Sequence, residues 1–357
     1  MQFLRQAFRC GPILIGALTC SMSAYCRISS IPNIAKLTDS STVIVAGEVL
    51  RVVQIGNRDV SMPDGKPYTC ASMTAFIRVD EVLKGETASS TIQVEYLQNS
   101  NWESGPLTNV LREGTYLMFF LKETDGKKFA FTAPEQSSMP MSSSRSALSD
   151  SLDGDVYAKV LRHLGEGLFD EQGPSQDRTR TIFVIDSEQS DAVPKMFKEA
   201  LDSPAARLDR AFRFELLAAL VRHKDVSVLP DLETALLTNH DVALDQSRGN
   251  MIYALQQINP SLSGPILIQA LKLPQSQLRV AAAAALGSVH SRDAIKALSG
   301  ALDDPDDEVR GSAINSLTGI FHAAQCLPAG YAPADLFQAC VEHWKEFAAT
   351  ENLHPTN

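Results

Sequence analysis

The sequence predicts a multidomain protein in which an all-β barrel of five strands precedes an all-α helical solenoid. Five segments rich in branched residues lie between positions 42 and 132, and glycine-containing turns separate them. Beyond Pro194 the apolar residues recur at helical spacing, and one helical pattern repeats every 31 residues. We expect a signal peptide at residues 1–24, the barrel at 25–135, a serine-rich linker at 136–153, a helical transition segment at 154–200 and the solenoid at 201–357.

The first 24 residues have the composition of a secretory signal. Arg5 and Arg9 precede an apolar run from Pro12 to Leu18, and small residues follow it. This run is far shorter than the roughly 20 residues of a membrane-spanning helix. We therefore expect an exported protein, periplasmic or extracellular, without a membrane span. Cleavage after Ser23 or Ala24 is expected.

Lipid attachment at Cys20 is the alternative, but the preceding residue, Thr19, is not the small residue that this modification usually requires.

Loss of the signal peptide removes two positive charges and changes the formal net charge from −10 to −12. An acidic protein without clustered Lys and Arg is a poor binder of nucleic acid, so no nucleic-acid partner is expected.

Four cysteines remain once the leader is removed. An even number in an exported protein favours disulfides, with one pair near each end of the chain. We expect Cys26 to bond with Cys70, and Cys326 with Cys340.

The strand pattern occupies the first third of the mature chain. A short helix at residues 31–37 is expected to pack on the barrel. A closed barrel is favoured over an open sheet because closure removes exposed strand edges. The five predicted strands are Thr42–Val53, Met73–Val82, Thr91–Leu97, Thr115–Leu121 and Lys128–Thr132.

Helical periodicity begins at residue 154 and dominates the chain beyond Pro194. Between these points, Gly165–Thr179 is polar, and Thr181–Ile185 is interpreted as a strand or as apolar filler. The serine-rich linker imposes little stiffness, so the orientation of the two domains is expected to vary.

A repeat signature supports the solenoid. It consists of an arginine followed seven residues later by a leucine, and it occurs three times at 31-residue steps, as Arg248 and Leu255, Arg279 and Leu286, and Arg310 and Leu317. The leucines are expected to occupy equivalent buried layers. The arginines are expected to donate to carbonyls or acids of neighbouring repeats, which is a structural role.

The repeats resemble HEAT repeats of the short bacterial type found in phycobilisome lyase-like proteins. Within Leu271–Leu302, Arg279, Ala282, Leu286 and Gly287 match the first helix of the unit, and Ala294, Ile295 and Leu298 match the second. The resemblance extends over residues 241–320 and implies stacked helix pairs.

The front domain resembles the netrin-like, oligonucleotide-binding (OB)-type barrel of the tissue inhibitors of metalloproteinases (TIMPs) and their bacterial relatives. The segments that carry the resemblance are Ser41–Val49, Phe76–Gly85 and Gly114–Leu121. Those inhibitors bind the catalytic zinc of a protease through an amino-terminal cysteine. Here Tyr25 precedes Cys26 if cleavage follows Ala24, which puts the inhibitory function in doubt.

No motif in the sequence indicates catalysis, a metal site or a cofactor. The seven histidines are scattered. Trp102, in the polar loop NSNWESG, is the best single candidate for a partner contact. The leading interpretation is a non-enzymatic, exported scaffold that binds another protein on the concave face of its solenoid. The alternative is a metalloprotease inhibitor or regulator that acts through the amino-terminal segment of the barrel.

Overall fold

The computed structural model describes residues 33–61, 67–99, 110–124, 128–133, 137–141, 155–323, 325–327 and 333–350. They belong to one compact unit, Asn33–Asn357. The predicted signal peptide, Cys20, Cys26, Trp102 and most of the predicted linker lie outside the described residues. No helix among the described residues is both long and apolar enough to cross a membrane.

The front of the unit is a sheet of six strands, as expected for the β-rich segments of the sequence. Its order is β1-β2-β3-β5-β4-β6, with an additional pairing between β1 and β4. All neighbours are antiparallel except β3 and β5, which are parallel. The strands are β1 (Val43–Ser61), β2 (Pro67–Lys84), β3 (Thr91–Asn99), β4 (Tyr116–Thr124), β5 (Lys128–Phe131) and β6 (Ser138–Pro140).

Three of these strands differ from the sequence-based expectation. β1 and β2 extend into the segment between them and pair as far as Ser61 and Pro67. β6 lies in the first residues of the predicted linker and pairs with β4.

The helical part follows in the expected place. Asp209, whose side chain accepts from the backbone N–H of Phe212 at 3.0 Å, caps the helix Arg210–Arg222 and separates it from the short helix Pro204–Leu208. The helices are α1 (Ile34–Ser40), α2 (Val156–Gly165), α3 (Ser175–Ile185), α4 (Ala192–Leu201), α5 (Pro204–Leu208), α6 (Arg210–Arg222), α7 (Leu229–Thr238), α8 (Asp245–Leu255), α9 (Pro260–Ala270), α10 (Ser276–Leu286), α11 (Arg292–Ala301), α12 (Asp307–Ile320) and α13 (Ala334–Thr350).

The helices from α6 onward stack in two rows. The first helices of successive pairs, α6, α8, α10 and α12, contact one another in order, and so do the second helices, α7, α9, α11 and α13. Leu255, Leu286 and Leu317 are buried in the same core cluster, as the repeat signature predicts. A continuous apolar core therefore joins the stacked pairs.

The sheet is attached to the helices, contrary to the expectation of two freely oriented domains. Ile44, Met118 and Phe120 belong to the core cluster of the helices, whereas their neighbours Val45 and Phe119 belong to a second cluster inside the sheet domain. Adjacent residues of a strand point to opposite faces, so β1 and β4 are buried on both faces.

Helix α1 also packs at the junction between the sheet and the helices. Its residues Ile34 and Leu37 pack into the helical core cluster, and α1 contacts α2. The ring of His163 in α2 lies 3.2 Å from a carboxylate oxygen of Glu81 in β2. Apolar packing and polar contacts thus hold the sheet at the front of the stacked helices.

Candidate functional site

The three signature arginines hold successive turns of the solenoid together. Arg248 is completely buried, and its Nε and Nη2 atoms donate to the carbonyl of Leu236 at 3.0 and 2.7 Å. Its Nη1 atom donates to Asp245 at 2.9 Å. Leu236 lies in the preceding helix, α7, so the guanidinium links two helix pairs and is out of reach of a partner.

The other two arginines make related contacts closer to the surface. Arg279 donates to both carboxylate oxygens of Asp304, at 2.8 and 2.9 Å, and to the carbonyls of Leu273 and Pro274. Such a bidentate pair has strict geometry. Arg310 donates to the carbonyl of Asp304 at 2.7 Å and also contacts Asp307.

The structure adds an earlier arginine that the sequence interpretation missed. Arg178 in α3 lies 35 residues before Arg213, which lies 35 residues before Arg248. The guanidinium of Arg178 donates to the carbonyls of Asp170 and Gly173 at 2.7 and 2.8 Å, and to Asp209 at 2.9 Å. Ile185, seven residues later, is buried at the position of the signature leucine.

The arginine of α3 therefore makes the same kind of contacts as the signature arginines of the later helix pairs. The predicted strand or filler at Thr181–Ile185 is instead the end of α3. The 35-residue step from Arg213 to Arg248 indicates one earlier repeat, and the missed signal is a second step of the same length, from Arg178 to Arg213.

A buried carboxylate lies between α6 and α8. Glu215 is buried, and both of its oxygens accept from Nδ2 of Asn250, at 2.9 and 3.0 Å. Removal from water raises the pKa of Glu215, although the hydrogen bonds from Ser247 and Asn250 oppose that change. The hydrogen bonds between Glu215 and Asn250 therefore hold α6 against α8 through an ionisable group.

We expect this carboxylate to make stability depend on pH. Because the pKa is higher in the folded state, the stability from Glu215 is complete below the unfolded pKa of about 4.3 and falls as the pH rises through the raised value. Glu215→Gln should remove this pH dependence. The stability that the wild type loses as the pH rises amounts to about 1.4 kcal/mol for each unit by which folding raises the pKa. We expect the melting temperature of the variant to rise relative to that of the wild type when both are measured from pH 4 to 8. Parallel curves would contradict the assignment, and the exposed Glu233→Gln is the control.

The cysteines near the carboxyl end are at disulfide distance. The sulfur atoms of Cys326 and Cys340 are 2.50 Å apart and their Cα atoms 5.8 Å apart. The link ties α13 to the segment that follows α12. At the other end, Cys70 is buried and has a free thiol within the described residues, whereas its predicted partner Cys26 lies outside them.

Reduction of the Cys326 and Cys340 link should lower stability by roughly 2 kcal/mol, because it releases a short loop in the unfolded chain. Thermal unfolding with and without dithiothreitol measures the loss. The variant Cys326→Ser with Cys340→Ser should melt at the lower temperature in both conditions. If dithiothreitol also lowers the melting temperature of this variant, the loss of stability does not come from the Cys326–Cys340 link.

An open groove of about 550 Å³ lies between α6 and α7. Arg210 and Arg213 of α6 line one side. Asp231 of α7 and Asp241, which follows α7, line the other. Ion pairs of 2.9 Å between Arg213 and Asp231, and of 3.2 Å between Arg210 and Asp241, span the two sides.

Two exposed apolar residues lie close in sequence to residues that line this groove. Leu208, two residues before Arg210, is 86% exposed, and Val242, directly after Asp241, is 72% exposed. These are the highest exposures among the large apolar residues in the described part of the chain. The groove could not be found from the sequence, because it forms only where two helices come together.

Within the described ranges, no group of three or more His, Cys, Asp or Glu side chains could hold a metal ion. The sequence predicted no catalytic residue and no cofactor, and both remain predictions.

The comparisons with known proteins concern the helical part. Human deoxyhypusine hydroxylase, solved in complex with glycerol, is 16% identical over 54% of this chain and 97% of that chain, with a TM-score of 0.24. An engineered protein solved by a structural genomics consortium is 17% identical over 56% and 93%, with a TM-score of 0.29. At these TM-scores neither likeness supports a conclusion about this chain. No curated protein matches it. Residues 243–318 match the family model described as HEAT repeats, which agrees with the helix pairs seen there.

Proposed function

We propose that the protein is a non-enzymatic, exported scaffold that binds another protein through its HEAT-like helical region. The observation that supports this most directly is the row of stacked helix pairs over residues 243–318, which match HEAT repeats. Stacked repeats present long continuous surfaces, and such surfaces suit protein partners better than small substrates. The signature arginines maintain this surface through contacts within the solenoid and leave other side chains free to contact the partner.

Crosslinking in the native cell envelope, followed by mass spectrometry, tests the proposal. We expect crosslinks from the solenoid surface to one or a few proteins, absent from a strain that lacks this chain. A solenoid that yields no protein crosslinks above that background would overturn the scaffold function.

The sheet domain is proposed to be a TIMP-like, netrin-like barrel of the OB type. The pairing of β1 with β4 supports this, since it joins the two sides of the strand order β1-β2-β3-β5-β4. The register runs from Val43 opposite Leu121 to Glu48 opposite Tyr116. A barrel of this kind is a scaffold for contacts and carries no chemistry by itself.

Export is tested together with the role of the amino terminus. Cell fractionation and sequencing of the mature protein should find an exported chain that begins at Ala24 or Tyr25. A chain retained in the cytoplasm with Met1 intact would refute export. A start at Cys26 would instead favour the protease-inhibitor alternative, because the cysteine amine would then be free to bind zinc.

A further inference from the structure

We infer that protonation of His163 strengthens the attachment of the sheet to the helices, so that the junction between them responds to pH. His163 lies on α2 and faces Glu81 of β2 across this junction. The inference goes beyond the proposed scaffold function and does not depend on it. Three observations support it: the acceptors on both sides of the ring, its place on the helix, and the burial of the side chains involved.

Both nitrogen atoms of the His163 ring face a carboxylate. Nε2 lies 3.2 Å from Oε1 of Glu81, and Nδ1 lies 3.2 Å from Oε1 of Glu166, the residue that follows α2. An ionised carboxylate only accepts hydrogen bonds, whereas a neutral imidazole has one donor nitrogen and one acceptor nitrogen. A neutral ring would therefore direct a lone pair toward one of the two carboxylates. The protonated ring, with a donor on each nitrogen, suits both.

The place of the ring on α2 favours the same charged form. His163 is in the last turn of the helix, where the carbonyl groups carry partial negative charge and attract a cation. The side chains of His163, Glu81 and Glu166 are 12%, 30% and 13% exposed, so salt screens their interaction less than on an open surface. Burial disfavours charge, but without the proton the three side chains hold two negative charges, and with it they hold only one.

Other charged residues lie on the elements that pack against α2, which include β2, α1, α3 and α4. On α2 itself, the cations Lys159 and Arg162 are half-buried. Four buried or paired groups of the neighbouring elements bind elsewhere: Lys84 donates to the carbonyls of Thr38 and Asp39, Arg178 pairs with Asp209, Lys198 pairs with Asp225, and Glu188 accepts from Tyr157 and the amides of α1. The exposed ones are Lys36, Asp39, Arg78, Asp80, Asp177, Arg180, Lys195 and Glu199. Glu81 is therefore the charged group through which the ring meets the sheet.

The sign of the pH dependence follows from these contacts. The contribution to stability is present while the ring is protonated, which for an unperturbed histidine means below about pH 6.5. It is lost as the pH rises and the proton leaves the ring. It is also lost below about pH 4, where carboxylates become neutral. We expect the sheet to be held most tightly near pH 5.5.

Nuclear magnetic resonance tests the protonation of the ring in the full-length protein. The chain has seven histidines, and in protein labelled with ¹³C at the histidine rings the variant His163→Gln identifies the signal of His163. We expect this signal to titrate above the unperturbed value of about 6.5, because two carboxylates favour the charged ring. Titration at or below that value would overturn the inference.

A double-mutant cycle tests whether the charge acts between the sheet and the helices. The wild type, His163→Gln, Glu81→Gln and the double variant are unfolded in urea at pH 5.5 and pH 8.5. The coupling should change the unfolding equilibrium constant about fivefold at pH 5.5 and less than about twofold at pH 8.5. Because the coupling is a difference within one cycle, the pH dependence of Glu215 cancels. Equal coupling at both pH values, or none at pH 5.5, would refute the role of His163.

Lys128 and Glu95 provide the matched control. Their ion pair of 2.6 Å joins β5 to β3 within the sheet and contains no histidine. The cycle with Lys128→Gln and Glu95→Gln should give the same coupling at both pH values. If this coupling also disappears at pH 8.5, the pH acts on the fold as a whole and the inference fails. Circular dichroism verifies that the variants fold, and the titration of the wild-type ring requires no measurement of stability.

Discussion

Arg248→Ala is expected to destabilise the solenoid by about 3–5 kcal/mol, the largest effect of any single substitution considered for this chain. The guanidinium is completely buried and makes three hydrogen bonds, two to the carbonyl of Leu236 and one to Asp245. Its removal leaves a buried carbonyl and a mostly buried carboxylate without their donors. It also leaves a cavity the size of the side chain.

Equilibrium unfolding in urea, followed by circular dichroism, measures this loss. Arg310→Ala is the matched control, because Arg310 occupies the same repeat position with a side chain that is 20% exposed. We expect the control to lose about 1–2 kcal/mol of unfolding free energy, because water can replace part of the hydrogen bonds that the Arg310 guanidinium donates. Arg248→Lys should fall between the two, because an ammonium cannot reproduce the planar set of donors. Equal losses at Arg248 and Arg310 would show that burial of Arg248 has no energetic consequence.

The helical half was predictable because its repeats are regular. From Arg248 onward the 31-residue step fixes which residues are equivalent, and Leu255, Leu286 and Leu317 are all buried. The step lengthens to 35 residues toward the front of the chain, where Arg213 and Leu220 still indicate one more repeat, but the prediction does not extend to Arg178. The first turns of α3 are polar, and its only early buried side chain is the charged Arg178. Burial of that residue depends on acceptors at Gly173 and Asp209, which no local pattern reveals.

The attachment of the sheet to the helices was not predicted, although the sequence contains a signal for it. The β4 segment Leu117–Leu121 is apolar at every position, as in strands that are covered on both faces. A barrel with one solvent-exposed face would place polar residues at Met118 and Phe120. In the structure these two side chains pack into the helical core. The serine-rich composition of the linker favoured the opposite prediction, that of two freely oriented domains.

The groove between α6 and α7 was beyond prediction for another reason. Its sides come from residues about 20–30 positions apart, and its shape depends on the angle between two helices. The sequence favoured Trp102 as the partner contact because an aromatic residue in a polar loop is conspicuous. Trp102 lies outside the described residues, so it remains a prediction.

A second large effect is expected at the junction of sheet and helices, where Glu188 holds the start of α1. Its carboxylate is buried and accepts from the backbone N–H groups of Ile34 at 2.8 Å and Ala35 at 3.3 Å. The hydroxyl of Tyr157 donates to it at 2.6 Å. Burial and this hydrogen bond raise the pKa of Tyr157. One side chain thus joins α1, α2 and the turn between α3 and α4.

Glu188→Ala should therefore cost about 2–4 kcal/mol, because hydrogen bonds to a charged acceptor contribute more than neutral ones and both amides of α1 become unsatisfied. The loss should appear first as local opening. Hydrogen exchange at Ile34 and Ala35 should accelerate in the variant, while the amides of α10 keep their protection.

Two further variants distinguish this role from general loss of packing. Tyr157→Phe removes one donor and leaves the contacts to α1 intact, so it should cost about 1 kcal/mol and leave exchange at α1 slow. Glu188→Gln keeps one acceptor oxygen and should restore part of the protection lost in Glu188→Ala. If α1 stays protected in Glu188→Ala, its attachment depends on the apolar contacts of Ile34 and Leu37 alone, and the carboxylate has no part in holding the sheet to the solenoid.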